Sequence, residues 1–230
     1  MMLEEAIRWT EILLAIAFIQ GSLEHLVGQK DEKLYFVPRL LLSLSLLSGF
    51  ESGLVCIALL INTLFILHRF QGPYNGGSDL MAWLIVSCLA LIHLVPSTEI
   101  QGYILAYLAL QLIFSYFKAG WAKVIHAEWR SGRALQDVFA YSIYPVAESL
   151  RGLANYPRLC FGVSWLVILL ELLFPLCLLN QIVLIVGLGA VFLFHVSNYI
   201  FLGLNRFVWV WVAAYPSLIW LQERLQTLTW

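Results

Sequence analysis

The feature that most limits what this chain can become is a series of apolar stretches, each close to the length of a membrane crossing, with little between them. A bilayer core about 30 Å thick is crossed by about 20 mainly apolar residues in a helix. Such stretches occupy residues 6–27, 34–48, 53–70, 79–95, 100–123, 159–179, 182–204 and 206–222. Of the 230 residues 61% are hydrophobic and 12% charged, where a soluble domain carries about 25% charged residues. One soluble core cannot hide that much apolar surface. The expected fold is therefore all-α, a single polytopic membrane-embedded domain over 1–230 with about eight spans. Seven is the alternative, because 34–48 is short and opens on Val37-Pro38-Arg39, as a re-entrant half would. Ser48-Gly49-Phe50-Glu51-Ser52-Gly53 divides it from the next span, since glycines and a charge break the run.

Charge supports the alternation. With eight crossings, eleven of the thirteen Lys and Arg residues fall on the side opposite the N-terminus; only Arg8 and Arg224 fall on the other. The positive-inside rule makes the basic side cytoplasmic. A net charge of −1 with no basic patch excludes a nucleic-acid partner and leaves the lipid bilayer as the expected surroundings. The first apolar run follows Leu3-Glu4-Glu5 and contains Glu11, which reads as a retained transmembrane helix and not as a cleaved leader. Between spans five and six lies 124–158, where mixed segments near 134–142 and 145–153 are expected to be interfacial amphipathic helices. Cys56, Cys88, Cys160 and Cys177 all sit in apolar runs without a CxxC pair. They read as core packing, and no metal site is expected.

The fifth span ends unusually, in YFKAGWAKVIHAEWRSG from Tyr116 to Gly132. On a helix, Tyr116, Gly120 and Lys123 share a face at steps of four and three. Gly120 has no side chain, so another helix or a ligand can approach there. An amine carried into low dielectric can serve as a base near neutral pH, which is one reading of Lys123. The other is a lysine reaching the headgroups beside Trp121 and Trp129. Glu171, in WLVILLELLFP, presents a similar choice. A lone carboxylate there costs about 2.5–3.5 kcal/mol on insertion scales, so it is protonated, faces a wet cavity or meets a cation. His195 and Asn198 share a face of the seventh span and could hold a ligand oxygen or bond a neighbouring helix. In GPYNGGSDLM, residues 72–81, Asn75, Gly76 and Gly77 form a turn before a helix expected to start at Ser78 or Asp79. Its backbone amides could hold an anion or a polarised oxygen, or the turn is a plain helix cap. Glu11 and Gln20 could line a cavity or bond neighbouring helices, and His93 ahead of Pro96 reads as a helix-end residue.

These blocks resemble the HTTM (horizontally transferred transmembrane) proteins and the vitamin K-dependent gamma-carboxylase. YFKAGWAKVIHAEWRSGRAL is similar to the family's Tyr-Phe, Ala-Gly, lysine-pair, Trp and Gly pattern, with Ala122-Lys123 where the family has two lysines. In FHVSNYIFLGLNRFVWVWVAAYP the spacing of His195, Asn198, Phe207 and Pro216 fits without a gap. The resemblance implies that Lys123 is the base toward a quinol, with Glu171 and His195 as catalytic partners. It also implies a ligand site formed by Tyr116, Gly120, Asn198 and the NGGSD turn, with a quinone or hydroquinone as cofactor and a bacterial inner membrane as location. Where the carboxylase has a histidine, this chain has Gly77, which separates quinol binding from carboxylation. The carboxylase's lumenal portion has no counterpart here, so no protein substrate bound in that way is expected. The alternative is a non-enzymatic subunit or assembly factor of a larger membrane complex, with a membrane-protein partner.

Overall fold

The computed structural model describes residues 1–27, 30–69 and 77–228. Among them there is no strand. In chain order the helices are α1 (Leu3–Leu26), α2 (Lys30–Ser48), α3 (Ser52–Arg69), α4 (Gly77–Leu94), α5 (Thr98–Ile125), α6 (Ala127–Arg130), α7 (Arg133–Tyr141), α8 (Pro157–Leu173), α9 (Gln181–Leu202), α10 (Asn205–Ala213) and α11 (Tyr215–Leu228). Two 3₁₀ segments complete the list: Glu148–Asn155 precedes α8, and Phe174–Leu178 extends it. The all-α polytopic bundle is thus what the chain forms. Among the described residues, six helices are long and apolar enough to cross a membrane: α1, α3, α4, α5, α8 with its extension, and α9.

The other two expected crossings differ for identifiable reasons. α2 is 19 residues long and contains Pro38, but Asp31, Glu32, Lys33 and Arg39 dilute its apolar character. Arg39 is buried, with its guanidinium 3.7 Å from the centre of the Phe18 ring. Its charge therefore packs on an aromatic face inside the first unit. The stretch 206–222 is not one helix but two, α10 and α11, broken at Ala214. Pro216 has no amide hydrogen and cannot continue the ladder from the preceding turn, so a helix restarts around it.

The chain forms two compact units. The first comprises Met1–Leu110 and Trp209–Arg224, and the second comprises Gln111–Val208 and Leu225–Trp230. α5 contributes to both. In the first, the core is made by Leu14, Leu46, Leu59, Ile85, Leu89 and Ile92, all essentially inaccessible. In the second, Leu112, Ile168, Leu184 and Val191 do the same. The second unit also contains the expected amphipathic pair. α7, Arg133–Tyr141, is offset by one residue from the stretch read near 134–142, and the stretch read near 145–153 is helical only from Glu148, within the 3₁₀ segment Glu148–Asn155. Gly132 allows the turn from α6 into α7: its φ is +78°, and a Cβ there would sit 2.5 Å from the Phe161 backbone nitrogen. Only glycine meets both conditions.

Candidate functional site

α5 and α8 touch where a side chain is missing. A Cβ on Gly120 would lie 2.8 Å from the Leu172 backbone nitrogen and 2.9 Å from Glu171 Cβ. The absent methyl lets the two helix backbones approach closely. One turn further on, Lys123 Nζ donates to both carboxylate oxygens of Glu171, at 2.8 and 2.7 Å. Only 18% of the Lys123 side chain and 4% of the Glu171 side chain are exposed. The pair is therefore dry enough for Coulomb attraction and desolvation both to be large. Glu171 lies roughly 21 Å along α8 from Pro157 at 1.5 Å per residue. The lysine is thus held to a carboxylate near the C-terminal end of α8, on a helix that with its extension is long and apolar enough to span a membrane. Lys123 Nζ also lies 5.3 Å from the centre of the Trp129 ring, within the range of a cation–π contact.

The chain beyond α5 continues alongside α8 and closes a chamber. Ser164 Oγ donates to the Trp129 carbonyl at 2.5 Å, and Trp165 Nε1 to the Arg130 carbonyl at 3.0 Å. These bonds tie the C-terminal end of α6 to α8: the Trp129 carbonyl, which also accepts from the Gly132 amide, and the Arg130 carbonyl each receive a side-chain donor of α8. Next to this seam lies a cavity of about 520 Å³, a volume typical of small-molecule sites. Its wall is mainly apolar: Leu135, Val138 and Phe139 of α7, Leu153 of the 3₁₀ segment, Cys160, Val163 and Val167 of α8, and Phe194 and Phe201 of α9. The polar groups on the wall include Lys123, Ser164, Ser197 and Asn198. Phe201 and Leu202 run into Gly203, whose φ of +69° ends α9 with its amide bonded to the Tyr199 carbonyl.

Tyr116 and His195 meet one another. The hydroxyl and His195 Nε2 share a hydrogen bond of 2.7 Å, and both side chains are buried. Phe174 packs on Tyr116, while Phe194 and Phe207 flank His195. Phe207, matched by spacing in the sequence, thus belongs to the histidine's surroundings. Of the expected site residues, Lys123 and Asn198 line the cavity. Glu171 and Gly120 are reached through Lys123 and α8, and Tyr116 and His195 form a separate buried pair in the same unit. Ser78 and Asp79 are in the first turn of α4, which starts at Gly77, ahead of both positions read as its start. All three belong to the first unit, whereas the contacts of the Lys123 cluster are made within the second. Asn75 and Gly76 lie outside the described residues. Reading the sequence missed the contribution of α7 to the cavity. The signal was present: Leu135, Val138 and Phe139 recur at steps of three and one, an apolar stripe as suited to a chamber wall as to a bilayer surface.

A comparison with protein families matches the HTTM domain over residues 83–222, more than half the chain and all of α5 to α10. The chain belongs to the HTTM domain family. It is an integral membrane protein, as its six apolar helices also require. The match covers every residue of the Lys123 cluster and of the Tyr116–His195 pair. No curated protein and no solved structure matches the chain.

Proposed function

We propose that the second unit of this HTTM protein binds a quinol or similar lipid-soluble redox molecule, with Lys123 as the base that takes its hydroxyl proton. One observation carries the reading: Lys123, anchored by Glu171, lines a ligand-sized, mainly apolar chamber in a membrane protein. The wall suits such a molecule, because its aliphatic and aromatic residues accept a ring and an isoprenoid-like tail. Lys123, Ser197 and Asn198 offer the few polar contacts that orient a head group. A bound quinol would supply an acidic hydroxyl and two reducing equivalents. To act on that hydroxyl, the Lys123 ammonium first passes a proton to the Glu171 carboxylate 2.7 Å away, and the amine so formed accepts the quinol's hydroxyl proton, leaving the quinol anion beside the restored ammonium. Asn198 orients a ring oxygen. The Tyr116–His195 pair fixes α5 against α9 and so holds Lys123 and Asn198 at a constant separation. The resemblance to bacterial HTTM proteins supports a place in a bacterial inner membrane.

The test is mass spectrometry of lipid-soluble molecules that co-purify with the protein in nanodiscs. The wild type is compared with Lys123→Ala and with the double variant Lys123→Met/Glu171→Leu, which keeps the helix contact apolar and packed. A stoichiometric quinone in the wild type, at least tenfold depleted in both variants, is the expected result. Bulk lipid alone in the wild type, with a stoichiometric membrane protein in its place, would overturn the reading in favour of a subunit or assembly factor.

A further inference from the structure

The first unit contains a second buried polar centre, built from four helices. Glu11 of α1 is almost fully buried. Its Oε2 accepts from Arg8 Nη1 at 2.8 Å and from Ser52 Oγ at 3.3 Å. Its Oε1 accepts from His93 Nε2 of α4 at 2.6 Å. Cys56 of α3 is fully buried, and its Sγ, a Glu11 carboxylate oxygen and a His93 ring nitrogen all lie within 4.8 Å of one another. The backbone is shaped to admit these groups. A Cβ on Gly53 would meet His93 Cβ at 3.2 Å, and one on Gly49 would meet the Arg8 guanidinium at 3.3 Å. Arg8 is itself held by the Leu46 and Leu47 carbonyls, at 2.9 and 2.6 Å.

We propose that Glu11, His93 and Cys56 form a binding site for one zinc ion. A carboxylate oxygen, an imidazole nitrogen and a thiol sulfur are zinc's usual donors, and three protein ligands leave a fourth position open. Tetrahedral bonds of about 2.0–2.3 Å place donor atoms roughly 3.3–3.7 Å apart. The present separations need adjustments of about 1 Å, within reach of side-chain rotation. The two oxygens of Glu11 divide the work. Oε2 is held by Arg8 and Ser52, as the outer contacts of a ligating carboxylate usually are, and Oε1 faces His93. Among the described residues, Arg8 is the Lys or Arg bonded to Glu11, and its guanidinium donates to Oε2 and to the Leu46 and Leu47 carbonyls. The His93 side chain is 27% exposed, which provides an access route that the inaccessible Cys56 lacks. On binding, the cysteine gives up its thiol proton to solvent and the neutral imidazole carries its proton on Nδ1. Zinc uptake therefore releases one proton and strengthens as pH rises.

The experiment uses the full chain without an affinity tag, reconstituted in nanodiscs, stripped with a chelator and titrated with zinc and, separately, with cobalt. The wild type is expected to take up one equivalent of zinc, and cobalt to give a thiolate charge-transfer band. Cys56→Ser should abolish the band and weaken zinc binding at least tenfold. His93→Gln, which can still donate to Glu11 and so preserve the tie between α1 and α4, should weaken it similarly. Arg133→Ala, at an exposed position of the other unit, should bind zinc as the wild type does. Uptake no greater than that of empty nanodiscs, or wild-type affinity in both Cys56→Ser and His93→Gln, would overturn the assignment and leave the cluster a hydrogen-bonded tie between helices.

Discussion

Removing either half of the Lys123–Glu171 pair should be far more damaging than removing both. Glu171→Leu leaves an ammonium that is 18% exposed beside Trp129, and Lys123→Met leaves a carboxylate that is 4% exposed among leucines. Breaking a buried pair by deleting one partner costs about 3–5 kcal/mol, because the survivor is an uncompensated charge. Two features temper this. The Trp129 ring retains part of the lysine's stabilisation, and a stranded carboxylate can protonate, which limits its cost to about 2.5–3.5 kcal/mol. Each single variant should therefore lose about 3 kcal/mol. Methionine and leucine together fill a similar volume without charge, so the double variant should fall within about 1 kcal/mol of the wild type. At about 2–4 °C per kcal/mol for a chain of this size, the single variants should melt roughly 6–12 °C lower and the double variant nearly unchanged. Thermal unfolding in nanodiscs can be followed by the fluorescence of the nine tryptophans. The coupling between the two sites should exceed 2 kcal/mol. Losses that add to within about 0.5 kcal/mol would refute the claim that the two charges are held for one another. The same variants separate folding from function, since the double variant should be stable yet depleted of quinone.

Two further outcomes follow from the same geometry. Gly120→Ala gains about 1 kcal/mol of helix propensity. Its methyl would lie 2.8 Å from the Leu172 backbone, and such overpacking costs about 1–3 kcal/mol. A net loss of thermal stability and of co-purifying quinone is expected, and a raised melting temperature would contradict the close approach of α5 to α8. Tyr116→Phe deletes the 2.7 Å bond to His195. It should cost about 1–3 kcal/mol in the unfolding assay while reducing quinone content less than Lys123→Ala does, because Tyr116 does not line the cavity.

The sequence by itself determined the class of the molecule and the register of its main spans. Those are local properties: an apolar run of 20 residues needs no partner to declare itself. The shared face of Tyr116, Gly120 and Lys123 was also legible, because it follows from the helical repeat. Tertiary structure decided which groups those faces meet. Lys123 and Glu171 are 48 residues apart, and either could have been satisfied by headgroups, by water or by another helix. Only the approach of α8 to Gly120 joins them. Glu11, Cys56 and His93 each read as an isolated polar or packing residue, since their meeting depends on how α1, α3 and α4 pack and no spacing within one helix encodes that. α7 was recognisable as amphipathic, but an apolar stripe looks the same whether it faces lipid or a chamber. The break at Ala214 came from Pro216, a signal outweighed by the hydropathy around it. Periodicity specifies the elements of this protein, whereas the distances on which its chemistry depends arise only when helices far apart in the chain are packed together.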